Sequence, residues 1–420
     1  MGTARETDAP LTIDVTGRDI HGEAARIRAR GPLTLVELPG RVEAWAVSSP
    51  ELLKRLLTDS RVSKDPRRHW TRFREGDITP DWPLFTWVAV RNMFTAYGGE
   101  HRRLRTLIAK AFTARRTAAL RPRIEEITEN LLDRVEEAAR RSGVVDLREK
   151  FCYPLPIQVI GELFGVPERL AGDLRHLVDR LFDTSADPGE MTAAYERMYG
   201  VLTELVALKR TSPGDDLTSG LIAARDEQGD TRLSEDELLN TLVLFISAGH
   251  ETTVNLLDNA VHALLTHPAQ LAHVRSGRAS WDDVVEETLR QDAPVASLPL
   301  RYAVEDLPLR ELGGPEGTVI GKGEAILAAY AAAGRDPQRH GEDAALFDVT
   351  RVDKEHLAFG YGVHRCLGAP LGRLEAAIAL PALFARFPGL RLDAGDEELG
   401  HVESFISNGH RRLPVRLGDG

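Results

Sequence analysis

The sequence predicts a mainly α-helical single domain with small β regions. Three observations carry this. Apolar residues recur at three- and four-residue steps through most of the chain. Strand-like runs are short and sit at the two ends and in one interior stretch. No Ser/Gly-rich linker, block of like charge or internal repeat divides the 420 residues, so 1–420 reads as one domain, with 1–30 an N-terminal extension and 31–420 the fold. With 42% hydrophobic and 28% charged residues the chain can bury a large core. Its net charge of −11 argues against general nucleic-acid binding. The polar N-terminal stretch lacks the apolar centre of a signal peptide, and no run of about eighteen apolar residues occurs, so the expectation is no membrane and a cytoplasmic location. Two cysteines cannot form a disulfide framework.

Taken along the chain, Leu33–Val47 reads as two strands across a Pro39-Gly40 turn. A helix over Glu100–Ala111 comes after Gly98-Gly99 and places His101, Leu104, Arg105 and Ile108 on one side, Arg103, Thr106 and Lys110 on the other. A His and an Arg flanked by Leu and Ile on an inward face need a buried partner, and two donors at i and i+4 suit a carboxylate or phosphate. Ile124–Ala139, Ala193–Leu208, Trp281–Arg290 and Leu371–Phe384 are amphipathic helices. Gly317–Ala329 reads as a strand pair around Gly321-Lys322-Gly323, and Glu403–Leu417 as a hairpin turning at Asn408-Gly409.

One helix differs from the rest. Ser234 to Glu237 form a capping box at its start and Pro268 ends it, after about thirty mostly apolar residues, roughly 45 Å of helix. In its middle sit Ala248, Gly249, His250, Glu251, Thr252 and Thr253, where a glycine and a carboxylate both carry a penalty. Close packing on another element at Ala248-Gly249, with Glu251 reaching a surface, is one explanation. On the Trp281–Arg290 helix, Glu287 and Arg290 share a side and can form a bidentate ion pair.

The stretch Phe359-Gly360-Tyr361-Gly362-Val363-His364-Arg365-Cys366-Leu367-Gly368 holds one of the two cysteines. Neither Cys366 nor Cys152 has a Cys-x-x-Cys partner, which argues against structural zinc and a redox dithiol. A nucleophile paired with His364 stays open, although a two-residue loop spacing seldom aligns such a pair. Cys152, between Phe151 and Tyr153, reads as a small buried hydrophobe. At Cys366 the glycines let backbone approach the sulfur, and a helix starting near Leu367 aims its dipole at it. Both lower a thiol pKa and favour a metal-binding thiolate.

Together, Phe359-Gly360-x-Gly362-x-His364-x-Cys366-x-Gly368, Ala248-Gly249-x-Glu251-Thr252-Thr253 and Glu287-x-x-Arg290 resemble a cytochrome P-450 of the soluble bacterial, actinobacterial type, over nearly the whole chain. The resemblance implies the cytochrome P-450 fold and haem b (iron protoporphyrin IX) as cofactor, with Cys366 as the metal ligand. It makes His101, Arg105, Arg301 and His364 the binders of the propionates, with Ala248, Gly249 and Phe359 also against the cofactor. Glu251 and Thr252 become the catalytic acid–alcohol pair, Thr252 hydrogen-bonding dioxygen and Glu251 relaying protons from solvent. Gly249 would leave room for dioxygen, and Arg351 would join Glu287 and Arg290 in a structural ion cluster. Gly334 departs from the family, which often has Asn there, as does the longer Arg310–Gly317 turn.

The activity so implied is monooxygenation of a hydrophobic small molecule: a steroid, macrolide or aromatic natural product. Oxidative coupling, desaturation or peroxygenation on the same fold is the nearer alternative, and a non-catalytic haem sensor the more distant one. No flavin or nicotinamide fingerprint is present, so electrons would come from ferredoxin and ferredoxin reductase to a monomer. Their dock would be a basic patch of Arg102, Arg103, Lys110, Arg115, Arg116 and Arg365. In the family's layout the substrate pocket is formed by Trp82, Phe85 and Trp87, by Phe182 and Met198, by Val295–Leu298 and by Phe405-Ile406.

Overall fold

The computed structural model describes residues 9–167, 169–170, 177, 187–225 and 231–418. Helices dominate, as the 3.6-residue periodicity predicts, and the amphipathic segments emerge as Arg121–Ser142, Pro188–Thr211, Trp281–Gln291 and Ala369–Arg386. The long helix runs Glu235–Thr266; Ser234 and Glu237 cap it reciprocally, and it ends just before Pro268. Helices Pro154–Phe164, Pro188–Thr211 and Ala369–Arg386 pack around it, so its apolar faces form the centre of the larger core.

A second layer is a six-stranded sheet, ordered from one edge as Leu11–Thr12, Leu33–Leu38, Val42–Val47, Ala325–Ala328, Leu298–Ala303 and Val62–Ser63. Leu33–Val47 forms the antiparallel hairpin expected, with Leu38 opposite Val42. Leu11–Thr12 pairs in parallel with that hairpin, and helix Ile20–Ala29 packs against Tyr330–Gly334. The segment 1–30 therefore takes part in the fold from Leu11 on, and residue 31 marks no structural break.

Two strand expectations need correction. Val319–Ile320 and Ala325–Ala328 do not pair: the first joins Leu307–Pro308, the second the main sheet. Gly323, with φ +81°, turns the chain from one sheet into the next, and a Cβ there would lie 1.9 Å from Thr71 Oγ1. Nor is Glu403–Leu417 a hairpin. Pro414–Arg416 pairs with Arg391–Leu392 and Val145–Asp146, while Asn408 bonds Asp292 and the Ala293 carbonyl and Gly409 sits against Asn255, pinning the 401–410 loop onto the long helix. The interior strand Leu298–Ala303 escapes the alternation rule because five of its six residues are buried.

Glu287 and Arg290 are both 0% exposed and pair at 2.7 and 2.8 Å. Arg351 Nε adds a contact to Glu287 at 3.4 Å, and Arg290 donates to the carbonyls of Gly334, Ala344 and Leu346. This saturated cluster fixes the chain that leads into the cysteine loop. The departure at Gly334 is explained on the spot: a Cβ would lie 2.0 Å from the Arg290 carbonyl oxygen, so no side chain fits.

Candidate active site

The cysteine loop is shaped by its glycines. Gly360 and Gly362 have φ of +67° and +70°, and a Cβ on Gly362 would meet the Leu57 carbonyl at 2.6 Å. The Cys366 amide donates to the Phe359 carbonyl at 2.9 Å, closing the loop. Arg373 lies over the Phe359 ring at 4.5 Å and pairs with Glu286. Cys366 opens into a cavity whose walls include Lys64, Arg105, Ala248, Gly249, Thr252, Arg301, Phe359 and His364. The sulfur's environment differs from the expectation. Burial pushes the Cys366 thiol up, outweighing the Gly368 and Ala369 amides that pull it down, so the positive charge of a metal is what would make it a thiolate.

Across the cavity, Thr252 turns its hydroxyl onto the Ala248 carbonyl at 2.6 Å, and Thr253 does the same to Gly249 at 3.1 Å. Glu251 points elsewhere. Successive helical residues are about 100° apart, and Glu251 is buried on a flank where it accepts from Arg148 and Ser407, each at 3.2 Å. Arg148 also reaches Asn255 at 2.9 Å and Asp258 at 3.4 Å. Gly249 lines the cavity and also packs closely on the Pro154–Phe164 helix, where a Cβ would lie 3.3 Å from Ile160 Cδ1.

Basic side chains gather at and beside the cavity. His101, on helix Gly98–Ala111, lies against His364 with the rings tilted and 4.1 Å between centroids, and Arg105 donates to the Arg365 carbonyl at 2.9 Å. Arg301 comes from strand Leu298–Ala303. Burial, then Arg105 and Arg102, push the His101 imidazole down to about 4; burial, then Lys64 and His101, push His364 down as well. His101 Nε2, Arg301 Nη1 and Lys64 Nζ are buried without a hydrogen-bond partner. Donors left in this way call for an acceptor, and this set suits a group carrying carboxylates beside a metal held by Cys366. The residues present therefore fit a haem.

The profile of the Cytochrome P450 family matches residues 191–276 and 281–398. A 2-hydroxy-5-methyl-1-naphthoate 7-hydroxylase of Streptomyces carzinostaticus is 44% identical over 97% of both chains. The chain belongs to the cytochrome P450 family. Among solved structures, CYP154A1 from Streptomyces coelicolor A3(2) matches this P450 with TM-score 0.89 and 56% identity over 97% of this chain and 100% of that one. A testosterone-bound CYP154C4 from a Streptomyces strain matches with TM-score 0.91 and 43% identity over 98% and 99%. The P450 is thus a haem-thiolate monooxygenase.

The pocket residues anticipated from the family layout are mostly placed otherwise. Val295 and Leu298 line the cavity. Trp82 instead meets Trp70 edge-to-face and donates to the Pro39 carbonyl, Phe85 stacks on Phe73, and Trp87 packs against the core. Met198, Phe405 and Ile406 are core residues, and Phe182 lies outside the described residues. The walls come from Met93, Phe94, Phe112, Leu244 and Phe245, with Phe112 and Phe245 stacked at 5.5 Å. Lys64 and Glu375 were not anticipated at all. Glu375 lines the cavity, fully buried with one oxygen unpartnered, and burial pushes its carboxyl well up, toward the neutral acid. Among the described residues no helix is long and apolar enough to cross a membrane.

Proposed function

We propose that this P450 hydroxylates a ring-bearing hydrophobic small molecule, with haem b as its cofactor. The carrying observation is a single cavity lined by Cys366 and Thr252 together with Lys64 and Arg301, whose Nζ and Nη1 have no hydrogen-bond partner. Bound there, haem supplies dioxygen activation. Cys366 would ligate its iron and Phe359 pack on it, while Ala248 and Gly249 border it from the long helix. His101, Arg105, Arg301 and His364 would hold its propionates. Thr252, which lines the cavity, would hold a proton at its Oγ1 for dioxygen. Glu251 would serve as the relay behind it, leaving Arg148 to do so. The aromatic wall of Phe94, Phe112 and Phe245 favours a flat ring substrate, in keeping with the naphthoate and steroid named for two relatives.

Electrons would come from ferredoxin and its reductase to a cytoplasmic monomer. The docking patch is smaller than the sequence implied. Arg103 pairs with Glu237, Arg116 with Asp215, and Lys110 donates to the Arg225 carbonyl. Arg102, Lys110, Arg115 and Arg365 remain exposed, as do Tyr361 and Val363. The testing experiment is a screen of apolar ring compounds for a shift of the haem absorption, followed by product analysis with dioxygen, ferredoxin and reductase. A hydroxylated product is expected. Absence of any haem signal in purified protein supplied with haem rejects the reading.

A further inference from the structure

Lys64 comes directly after strand Val62–Ser63, whose register on Leu298–Ala303 sets Val62 against Ala303 and Ser63 against Tyr302. One residue further along that ladder, Lys64 comes opposite Arg301. Like charges opposite one another on antiparallel strands repel. Here both are also buried, at 3% and 4% exposure, and both line the cavity that holds Cys366 and His364. Lys64 Nζ and Arg301 Nη1 have no hydrogen-bond partner, and Nζ rests over the Phe94 ring at 3.5 Å. A cation–π contact does not offset the burial of an unpaired ammonium. Burial first, and Arg301 second, hold Lys64 well below the ordinary lysine range, with no carboxylate acting the other way. The arrangement has the form of an anion site lacking its anion. Lysine suits it because a compact ammonium on a flexible stem can leave Phe94 and meet a carboxylate as a point charge.

We propose that Lys64 binds a carboxylate of the cofactor, pairing with one haem propionate in company with Arg301. This rests on the haem reading above and adds a cation that no sequence motif marks. Lys64→Met keeps the stem and removes the charge, so the test measures transfer of haem from the holoenzyme to excess apomyoglobin, for protein loaded with haem and with haem dimethyl ester. Expected is about tenfold faster loss of haem from Lys64→Met than from wild type, the size of one charge-assisted hydrogen bond. No difference is expected between the two proteins when they carry the ester. The thermal midpoint of the cofactor-free variant should be equal to wild type or higher, because a buried unpaired ammonium is gone. Equal acceleration with haem and ester, or a lowered apo midpoint with unchanged haem loss, overturns the proposal in favour of a packing role against Phe94. Unchanged haem loss with weakened binding of a carboxylate-bearing ring compound assigns Lys64 to substrate and likewise overturns it. Wild-type protein that takes up neither cofactor sinks the haem reading itself, an outcome distinct from the others.

Discussion

Two clusters of buried charge in this P450 contrast in one respect. Around Glu287, each anion has its cation and each guanidinium its carbonyls: Arg290 makes five hydrogen bonds, two to Glu287 and three to backbone. Around Arg301, basic side chains sit together and three of them, Lys64, His101 and Arg301, have a nitrogen without a hydrogen-bond partner. Burial is equal, yet saturation differs, and the difference separates a brace from a binding site. A saturated cluster has nothing left to offer a ligand. An unsaturated one of a single sign is tolerated because a ligand completes it.

The sharpest way to break this comparison is to remove one partner from each. Glu287→Gln leaves Arg290 charged and fully buried, and should destabilise the protein by about 3–5 kcal/mol in a denaturant titration. Arg301→Met should leave the cofactor-free protein no less stable while weakening haem retention. If Arg301→Met also cost several kcal/mol without haem, the second cluster would be a brace after all. Next in size is the chemistry between them. Thr252→Ala should lower product formation by about 10² and release hydrogen peroxide instead, with the haem spectrum unchanged. Product and peroxide are assayed against reduced cofactor consumed.

The contrast also has a pH signature. Burial first, then Arg105 and Arg102, depress His101 to about 4 in the folded protein. An unfolded histidine titrates near 6.5. The unfolded chain therefore binds a proton that folded His101 refuses, so stability without haem is intact above about pH 6.5 and falls as pH drops toward 4. Propionates beside His101 would relieve this. Chemical denaturation across that window should show a slope for the cofactor-free protein that His101→Gln flattens and haem loading reduces.

How much of the fold and site is legible in the sequence depends on the range of the interactions involved. Capping boxes, helical periodicity, the Glu287–Arg290 spacing and the cysteine loop are local, and sequence carries them. The placement of Lys64 opposite Arg301 depends on strand register across more than two hundred residues of chain, which no spacing rule reads. Glu251 and Thr252 are neighbours in sequence, but the helical turn sends one to Arg148 and the other to the cavity. The family's layout puts Trp82 and Phe85 on the pocket wall; Trp70 and Phe73 claim them for the sheet-side core. Gly334 is visible as an oddity, while the atom that demands it, the Arg290 carbonyl oxygen, lies on another segment.

The smallest expected effect applies the same distinction to the surface. Arg103 and Arg102 are adjacent on one helix, yet Arg103 is half-buried on Glu237 at the start of the long helix and Arg102 is exposed. Reversing Arg102 removes only a docking charge. Arg102→Glu should slow reduction by ferredoxin several-fold at low salt, with the difference fading as salt screens it and stability unaltered. Arg103→Glu sets two carboxylates against each other where the Gly98–Ala111 helix meets the long one, and should lower the melting temperature at any salt. Stopped-flow reduction over a salt series, beside thermal melts, reads both. If reversal at Arg102 left the rate and its salt dependence untouched, the exposed cations would be solvent-facing and the electron donor would dock elsewhere.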